Sequence, residues 1–427
     1  MPWYFLVWDG KRTDGYGVAT GPNAFCFWNA DRGGFSLWAD VRNGGSGVQL
    51  GARTLTVCDI VHRRGERGES SFAAAREFCC QLCRAPLLPK LPCYGTNDWY
   101  YNYGNSHPDG ILKTTEAVVA LSPDGANRPW SLVDDGWSPD GPEKGRWDRG
   151  NVRFGDMADF ARRIEAAGAQ PGIWFRPLLA AQSRPQSLRL KRDASYLDPT
   201  IPEALAIVAE DTRRLRAWGY RMLKHDFSSF DIMGRWGFDM GATLTNDKWH
   251  FADRSRTTAE IILEFYRTIR AAAGDALIIG CNTFSHLSAG LFEINRIGDD
   301  VSGRSWNRTR RMGVNTLAFR ARQHGMFYAA DPDIAPITEQ HPWEQGRQWL
   351  QLLAGSGMPL FVLPQLSALN AEVKAALKDA LSIAATPQPT AEPLDWMESQ
   401  CPHRWRLRGR TVEFDWSVSE GPWPFSD

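Results

Sequence analysis

Near the middle of the chain stands the stretch Tyr220-Arg221-Met222-Leu223-Lys224-His225-Asp226-Phe227. It is an apolar run that ends in a cation and a carboxylate two residues apart. Side chains alternate between the faces of a β-strand, so Lys224 and Asp226 are predicted to emerge on the same face. A neighbouring ammonium favours the ionised form of a carboxylate. A fixed, ionised aspartate at a strand end suits the nucleophile of a glycosidase, with an ordinary salt bridge as the alternative for this stretch alone.

Strands and helices alternate on both sides of this stretch. Strand-like runs lie at 93–96, 130–134, 172–175, 222–224, 276–280, 292–296, 326–330 and 360–363. Apolar residues at helical spacing predict helices at 156–167, 203–218, 257–273, 343–354 and 371–384. Eight strands with intervening helices predict an α/β fold of the (β/α)₈ TIM-barrel type. A doubly wound open sheet is disfavoured because no glycine-rich phosphate-binding turn follows a strand.

The ends of the chain predict smaller β units. Strand-like runs at 5–8, 24–28, 34–41 and 54–58 are separated by glycine- and asparagine-rich turns, and a helical pattern follows at 71–83. We therefore predict three parts: an N-terminal antiparallel β domain with a linker helix at 1–88, the (β/α)₈ barrel at 89–385, and a short C-terminal β unit at 386–427.

Composition excludes several classes of partner. Lys plus Arg and Asp plus Glu both number 49 in 427 residues, and no basic, aromatic cluster predicts nucleic-acid binding. No apolar run approaches the length of a membrane-spanning helix. The apolar start, Met1 to Trp8, lacks the basic region and cleavage site of a signal peptide, so a cytoplasmic location is expected. No cofactor is implied, and His225, His250 and His286 do not have metal-ligand spacing.

Polar residues follow most of the predicted strands, at the barrel face where active sites lie. Helix caps explain single cases but not the whole set. The strand ends carry Asn97, Asp98, Asp134, Asp135, Trp137, Trp174, Arg176, Lys224, Asp226, Cys281, Asn282, Arg296, Asp299, Asp300, Asp331 and Asp333.

Two of these carboxylates suit the separate duties of glycoside hydrolysis, which needs an ionised nucleophile and a protonated acid. Asp226 beside Lys224 fits the nucleophile. Asp300 fits the acid, because a like charge at Asp299 is expected to raise the pKa of one of the two.

The whole pattern resembles the melibiase-like α-galactosidases of glycoside hydrolase clan D, especially family 36 and more distantly family 27. The residues that carry the resemblance are Gly95-x-Asn97-x-Trp99, Val133-Asp134-Asp135-Gly136-Trp137, Gly172-Ile173-Trp174, Leu223-Lys224-His225-Asp226, Arg296-Ile297-Gly298-Asp299-Asp300-Val301 and Asp331-Pro332-Asp333. They stand in family order between residues 92 and 365. The N-terminal β domain matches family 36 in position but is much shorter.

The resemblance implies a retaining double displacement on a terminal α-linked galactose of an oligosaccharide or glycoside. Asp226 would attack the anomeric carbon, and Asp300 would act as acid and then base, since the family acid lies four residues after the arginine. The implied sugar contacts are Asp134 and Asp135 to the 4- and 6-hydroxyls, Lys224 to the 3- and 4-hydroxyls, Arg296 and Cys281 near the 2-hydroxyl, and Trp137 and Trp174 as aromatic walls.

Three departures from the family leave the sugar open. Thr96 replaces an aromatic residue, Arg176 replaces a glutamate, and Asn282 begins a stretch that replaces a glycine-rich run. A β-L-arabinopyranoside is therefore an alternative substrate. A galactosyl transferase of raffinose-synthase type and a non-catalytic sugar-binding barrel are alternative functions. The segment 228–240, with Phe230, Trp236 and Phe238, is a candidate cover for the site.

Overall fold

The computed structural model describes residues 2–234 and 248–416. Its strands are β1 (Tyr4–Trp8), β2 (Thr13–Val18), β3 (Phe25–Asp31), β4 (Gly34–Asp40), β5 (Ile60–Arg63), β6 (Tyr94–Asn97), β7 (Trp130–Val133), β8 (Gln170–Phe175), β9 (Met222–His225), β10 (Leu277–Gly280), β11 (Ile294–Arg296), β12 (Ala329–Asp331), β13 (Ile334–Ile337), β14 (Leu360–Pro364), β15 (Glu392–Pro393), β16 (Arg404–Leu407) and β17 (Arg410–Glu413). Its α-helices are α1 (Ser71–Leu82), α2 (Trp99–Asn102), α3 (Pro108–Leu121), α4 (Met157–Ala166), α5 (Pro202–Ala217), α6 (Ser228–Met233), α7 (Thr258–Ala273), α8 (Ser285–Ser288), α9 (Trp306–Thr309), α10 (Thr316–Arg320), α11 (Trp343–Gly355) and α12 (Ala371–Ala384), with a π-helical segment at Arg310–Asn315.

Nine parallel strands form the central sheet, in the order β12, β11, β10, β9, β8, β7, β6, β14, β13. The two strands at the ends of this order, β12 and β13, are consecutive in the chain and are separated only by Pro332 and Asp333. They are two halves of one strand: β12 pairs with β11, and β13 pairs with β14. The sheet therefore closes on itself through the chain, which confirms the predicted TIM barrel.

The predicted barrel strands all correspond to observed strands, with bounds that shift by up to three residues. The exception is β13, which the sequence did not indicate because Pro336 lacks an N–H and argues against a strand. The predicted helices are also observed. In α4 the Asp156 side chain accepts hydrogen bonds from the backbone at its N-terminus, and Met157, Phe160 and Ile164 are buried on one face.

The N-terminal segment contains a three-stranded antiparallel sheet, β1-β2-β5, and a separate hairpin, β3-β4. The predicted strand at 54–58 is wrong, since the observed strand begins at Ile60. Strand β2 is not indicated by the sequence, because Asp14, Gly15 and Gly17 resemble a turn. These glycines let α1 lie on the sheet: a Cβ at Gly15 would stand 2.5 Å from a Phe78 ring carbon.

The C-terminal segment forms an antiparallel sheet from β15, β16 and β17. Residues 417–427 of the predicted C-terminal unit lie outside the described part of the chain, as do Trp236 and Phe238 of the predicted cover. Phe230 lies in α6. The domain boundaries at 88 and 385 remain predictions. Among the helices in the described ranges, none has the length and apolar character needed to cross a membrane.

Candidate active site

The predicted site residues lie at the C-terminal ends of the barrel strands, as the topology requires. Hydrogen bonds and ion pairs connect almost all of them. The contacts run from Lys224 to Asp134, from Trp174 to Asp226, from Trp137 to Trp174, and from Arg296 to Asp300 and Cys281. Asp135 is joined through its backbone, whose N–H donates to the Asp134 carboxylate at 2.9 Å.

Lys224 forms its ion pair with Asp134 and not with Asp226, contrary to the sequence prediction. The ammonium nitrogen lies 2.6 Å from Asp134 Oδ2, and both side chains are buried. Asn97 Nδ2 donates to the same oxygen at 2.7 Å. Burial lowers the pKa of Lys224, but the charges of Asp134, Cys281 and Asp226 together raise it by more, so the net pKa lies above its ordinary value. The pair presents a fixed cation and anion to the barrel interior.

Asp226 is held by three N–H donors that carry no charge. Trp174 Nε1 donates to Oδ2 at 2.8 Å, while Asn282 Nδ2 and the Phe227 backbone each donate to Oδ1 at 2.7 Å. Phe227 and Asn282 both have positive φ, at 66° and 47°. Asn282 is one of the residue types that tolerate this conformation. The carboxylate is therefore oriented from strands β8 and β10 on either side of its own strand.

Arg176, which departs from the family pattern, is part of the scaffold next to Asp226. Its guanidinium makes a bidentate contact with the fully buried carboxylate of Asp231, at 3.0 and 2.5 Å from Oδ1. It also lies 4.3 Å from the centre of the Phe227 ring. The arginine thus joins the end of β8 to α6 and to the residue that follows Asp226.

Trp137 is fully buried, and its indole N–H donates to the Trp174 carbonyl oxygen at 2.8 Å. Its ring packs against Trp147 and Trp218. In this position it supports the strand that carries Trp174. Direct contact between Trp137 and a sugar, which the resemblance implied, stays a prediction.

Asp300 accepts a hydrogen bond from Arg296 Nη2 at 3.2 Å. Burial raises the pKa of Asp300, but Arg296, Lys224 and Tyr100 together lower it by more, so the net pKa lies below the ordinary value. The sequence argument for a raised pKa, which relied on repulsion from Asp299, is therefore wrong. The Asp299 carboxylate instead lies 3.6 Å from Arg308.

Cys281 and Asp135 complete the predicted set. The Cys281 sulfur lies 3.8 Å from Arg296 Nη1, and burial raises the pKa of its thiol far above the ordinary value. Burial also raises the pKa of Asp135, while Lys144, at 3.9 Å, opposes that shift. Cys281 is therefore a neutral neighbour of Arg296, and Asp135 is a carboxylate that binds protons more readily than usual.

Three further residues contribute to the site, although no role was assigned to them from the sequence. Asp98 accepts a hydrogen bond from the Asp134 backbone, and burial raises the pKa of Asp98 to about 6. Tyr100 and Asp333 are hydrogen-bonded to each other beneath Arg296. Asp98 and Asp333 can be recognised in the sequence as polar residues at strand ends. No sequence signal distinguishes Tyr100 from its aromatic neighbours after β6.

His225 lies between Lys224 and Asp226, and its ring faces away from the site. It is fully buried among the rings of Phe175, Phe265, Tyr266 and Phe292. Neither ring nitrogen has a hydrogen-bond partner. Burial lowers the pKa of His225 to about 3, so the ring is neutral in the folded protein.

This neutral histidine predicts a loss of stability in acid. Its pKa is about 6.5 in an unfolded chain and about 3 in the folded protein, so protons bind the unfolded state preferentially as the pH falls below 6.5. Between pH 7.5 and pH 5 this coupling is expected to cost about 2 kcal/mol. We expect His225→Phe to reduce the loss by that amount in urea unfolding at the two pH values. An equal loss in both proteins would contradict the prediction.

Within residues 2–234 and 248–416, no three His, Cys, Asp or Glu side chains converge in a way that could hold a metal ion. The carboxylates of the site are instead paired with Lys224, Arg296 and Arg176 or with neutral donors. The arrangement offers several fixed hydrogen-bonding groups, an aspartate oriented by neutral donors and a second aspartate beside a cation. Such groups can bind a polyhydroxylated ligand and transfer protons to it.

Fold and site together define a (β/α)₈ barrel with a carboxylate-rich site at the C-terminal ends of its strands. Solved structures with this fold include an α-galactosidase from Thermus thermophilus in complex with p-nitrophenyl α-D-galactopyranoside, with a TM-score of 0.68 and 20% identity over 96% of this chain and 80% of that one. The same enzyme was solved with stachyose. The (β/α)₈ barrel fold predicted from the sequence is thereby confirmed.

Two more solved structures share the fold at greater distance. A GH36 α-galactosidase from Geobacillus stearothermophilus in complex with stachyose has a TM-score of 0.63 and 14% identity, over 94% of this chain and 58% of that one. An isomalto-dextranase from Arthrobacter globiformis in complex with panose has a TM-score of 0.52 and 16% identity, over 77% and 62%. No protein-family model matches the sequence, and no curated protein matches it either. At these identities the likeness shows a shared fold.

Proposed function

We propose that this protein is a retaining exo-glycosidase that removes terminal α-linked galactose from an oligosaccharide or glycoside. The observation that carries the proposal is the pair of differently held carboxylates at one end of the barrel. Asp226 is oriented by neutral N–H donors and is free to attack, whereas Asp300 stands beside Arg296 with its side chain 39% exposed. Hydrolysis of a glycoside with retention needs two carboxylates in such different settings.

In the proposed reaction Asp226 attacks the anomeric carbon as the glycosidic C–O bond breaks, and Asp300 gives its proton to the leaving oxygen. This forms a covalent glycosyl-enzyme. Asp300, now ionised, takes a proton from water, whose oxygen displaces Asp226 and releases the sugar with its original configuration. The N–H donors from Trp174 and Asn282 orient the nucleophile, and their bonds to Asp226 weaken as the ester forms.

The sugar would be bound by groups whose geometry is already fixed. The Lys224–Asp134 pair provides a donor and an acceptor for the 3-, 4- and 6-hydroxyls, together with Asp135. Arg296 and Cys281 would lie near the 2-hydroxyl. These roles follow the resemblance to α-galactosidases, and the complexes of the Thermus enzyme with an aryl α-galactoside and with stachyose support this substrate class.

The test is release of nitrophenol from four aryl glycosides: an α-galactoside, an α-N-acetylgalactosaminide, a β-L-arabinopyranoside and an α-glucoside. We expect the α-galactoside to be cleaved fastest. Preference for another sugar would overturn the galactose assignment and leave the mechanism standing.

Adding methanol or sucrose as acceptor separates hydrolysis from transfer by the ratio of new glycoside to free galactose. Sugar binding on a glycan array without turnover of any substrate would instead favour a binding protein.

Alanine substitution of Asp299 and of Asp300 decides which one is the acid/base. We expect Asp300→Ala to slow stachyose hydrolysis by roughly 10²- to 10⁴-fold, since its trisaccharide leaving group needs a proton. Cleavage of the nitrophenyl glycoside should suffer less in its first step, because nitrophenolate leaves without one. Azide should accelerate the second step and give the α-glycosyl azide.

Asp299→Ala is the matched control for this assignment. It removes a neighbouring carboxylate of the same size, whose partner is Arg308 at 3.6 Å. We expect both substrates to be turned over at close to wild-type rates. An azide response in Asp299→Ala and not in Asp300→Ala would exchange the two roles.

A further inference from the structure

Asp333 occupies an unusual place in the barrel. It separates the two halves of the seventh strand, β12 and β13, and has a φ of 79°, in the left-handed region. Aspartate is one of the few residues besides glycine that adopt this conformation. Its own N–H donates to Asp331 Oδ1 at 2.9 Å, and its side chain is buried. The break in the strand thus places a buried carboxylate inside the site.

This carboxylate connects three separate elements through one oxygen. Oδ2 accepts hydrogen bonds from the Val301 backbone at 2.9 Å and from the Tyr100 hydroxyl of α2, and it lies 2.8 Å from Arg296 Nη2. Val301 directly follows Asp300 in the chain. Asp333 therefore fixes both the cation beside Asp300 and the backbone that carries it.

Arg296 is shared between Asp333 and Asp300. Its Nη2 lies 2.8 Å from the Asp333 carboxylate and 3.2 Å from that of Asp300, and the Asp333 side chain is 4% exposed against 39% for Asp300. Coulomb attraction is stronger at shorter distance and in a less solvated setting. Asp333 therefore balances the larger part of the arginine charge.

We propose that Asp333 is the positioning residue for proton transfer by Asp300: it neutralises Arg296 and anchors Val301, so that Asp300 can hold a proton beside this cation. The inference rests on the proposed function, in which Asp300 delivers that proton to the glycosidic oxygen and recovers one from water. If Arg296 faced Asp300 alone, its charge would favour the ionised acid, which has no proton to give.

The pKa values of the two carboxyls limit this role to pH values at which Asp333 is ionised. Burial raises the pKa of Asp333 to about 7 despite Arg296, and the Asp300 charge adds to that rise. For Asp300, burial raises the pKa, while Arg296, Lys224 and Tyr100 lower it to a net value below the ordinary one. The other titratable or charged groups that face the pair are Asp331, Cys281, Asp299 and Arg308.

Asp333→Asn tests the charge separately from the shape. Asparagine tolerates the positive φ and keeps an oxygen that can accept hydrogen bonds from Val301 and Tyr100. It removes the negative charge beside Arg296, so that the arginine charge acts on Asp300 alone. We expect kcat/KM for stachyose at pH 7 to fall roughly 100-fold, the size of a general-acid contribution. For the nitrophenyl α-galactoside, which needs no proton, the fall should be much smaller. The alkaline limb of the stachyose profile should move to lower pH, so that acid restores part of the activity.

Tyr100→Phe is a second variant in the same contact with the opposite expectation. The tyrosine hydroxyl lowers the pKa of both carboxyls. Without it, Asp300 should hold its proton to higher pH, so the alkaline limb should move upward. The proposal would be overturned if Asp333→Asn lowered kcat/KM equally for both substrates and left the alkaline limb of the stachyose profile unmoved. Asp333 would then have a purely structural role. The proposal would also be overturned if the alkaline limbs of the Asp333→Asn and Tyr100→Phe profiles moved in the same direction.

A titration that needs no turnover separates this inference from the proposed function. Carboxyl ¹³C resonances of aspartate-labelled protein, assigned with Asp300→Asn, report the protonation of Asp300 directly. Its midpoint should fall in Asp333→Asn and rise in Tyr100→Phe. If the wild type cleaves no glycoside, the proposed function fails, while these midpoint shifts still show the electrostatic role of Asp333. If the wild type is active and the Asp300 midpoint is the same in both variants as in the wild type, the role of Asp333 is refuted and the proposed function stands.

Discussion

Asp226→Ala is expected to slow cleavage of p-nitrophenyl α-galactoside by about 10⁴-fold or more, the cost of removing a covalent nucleophile. The alanine variant leaves the three N–H donors of Trp174, Asn282 and Phe227 around a space of carboxylate size. A small anion can enter that space. We therefore expect azide to restore part of the activity and to attack from the side that Asp226 used, giving the β-glycosyl azide.

The configuration of the azide product is the decisive readout for the nucleophile. Proton NMR distinguishes the β-azide expected from Asp226→Ala from the α-azide expected from Asp300→Ala. Asp226→Asn serves as the control for shape, since it fills the space and should respond to azide weakly. An Asp226→Ala protein that is folded and still hydrolyses the glycoside at a wild-type rate would remove Asp226 from the mechanism.

Lys224→Met is expected to destabilise the fold by about 3–5 kcal/mol, because it leaves the buried Asp134 carboxylate without its cation. The ammonium lies 2.6 Å from that carboxylate, and the two side chains are 9% and 4% exposed. Methionine keeps most of the length of lysine, so packing is largely preserved. Activity should be lost as well, since Lys224 is a proposed contact of the sugar hydroxyls. Urea unfolding of the purified variant measures the stability change.

A double variant and a surface control show whether the buried charge is responsible. Lys224→Met combined with Asp134→Asn removes both charges and should recover most of the lost stability. Lys144→Met removes a lysine that is 51% exposed and 3.9 Å from Asp135, and it should change stability by less than about 0.5 kcal/mol. A double variant as unstable as Lys224→Met would show that packing, and not an unpaired charge, causes the loss.

The sequence was sufficient for the order of elements in the barrel and for the residues at the strand ends. Alternating apolar runs and helical spacing are local properties, so β9 and α4 could be located without knowledge of their neighbours. Parallel strands present their C-terminal ends at one face, so Asp134, Lys224, Asp226 and Arg296 could be assigned to a common site. The strands β2 and β13 could not be predicted from the sequence, because glycine and proline are uncommon inside strands.

Only the tertiary structure decided which charges meet. Lys224 and Asp226 are two residues apart, yet the lysine pairs with Asp134, which is 90 residues away in sequence. Asp299 adjoins Asp300, yet Arg296, Lys224 and burial set the pKa of Asp300. The seventh strand breaks at Asp333 because β12 pairs with β11 while β13 pairs with β14. Barrel closure fixes the distances between strand ends, and Coulomb interactions depend on those distances and on burial, not on separation along the chain.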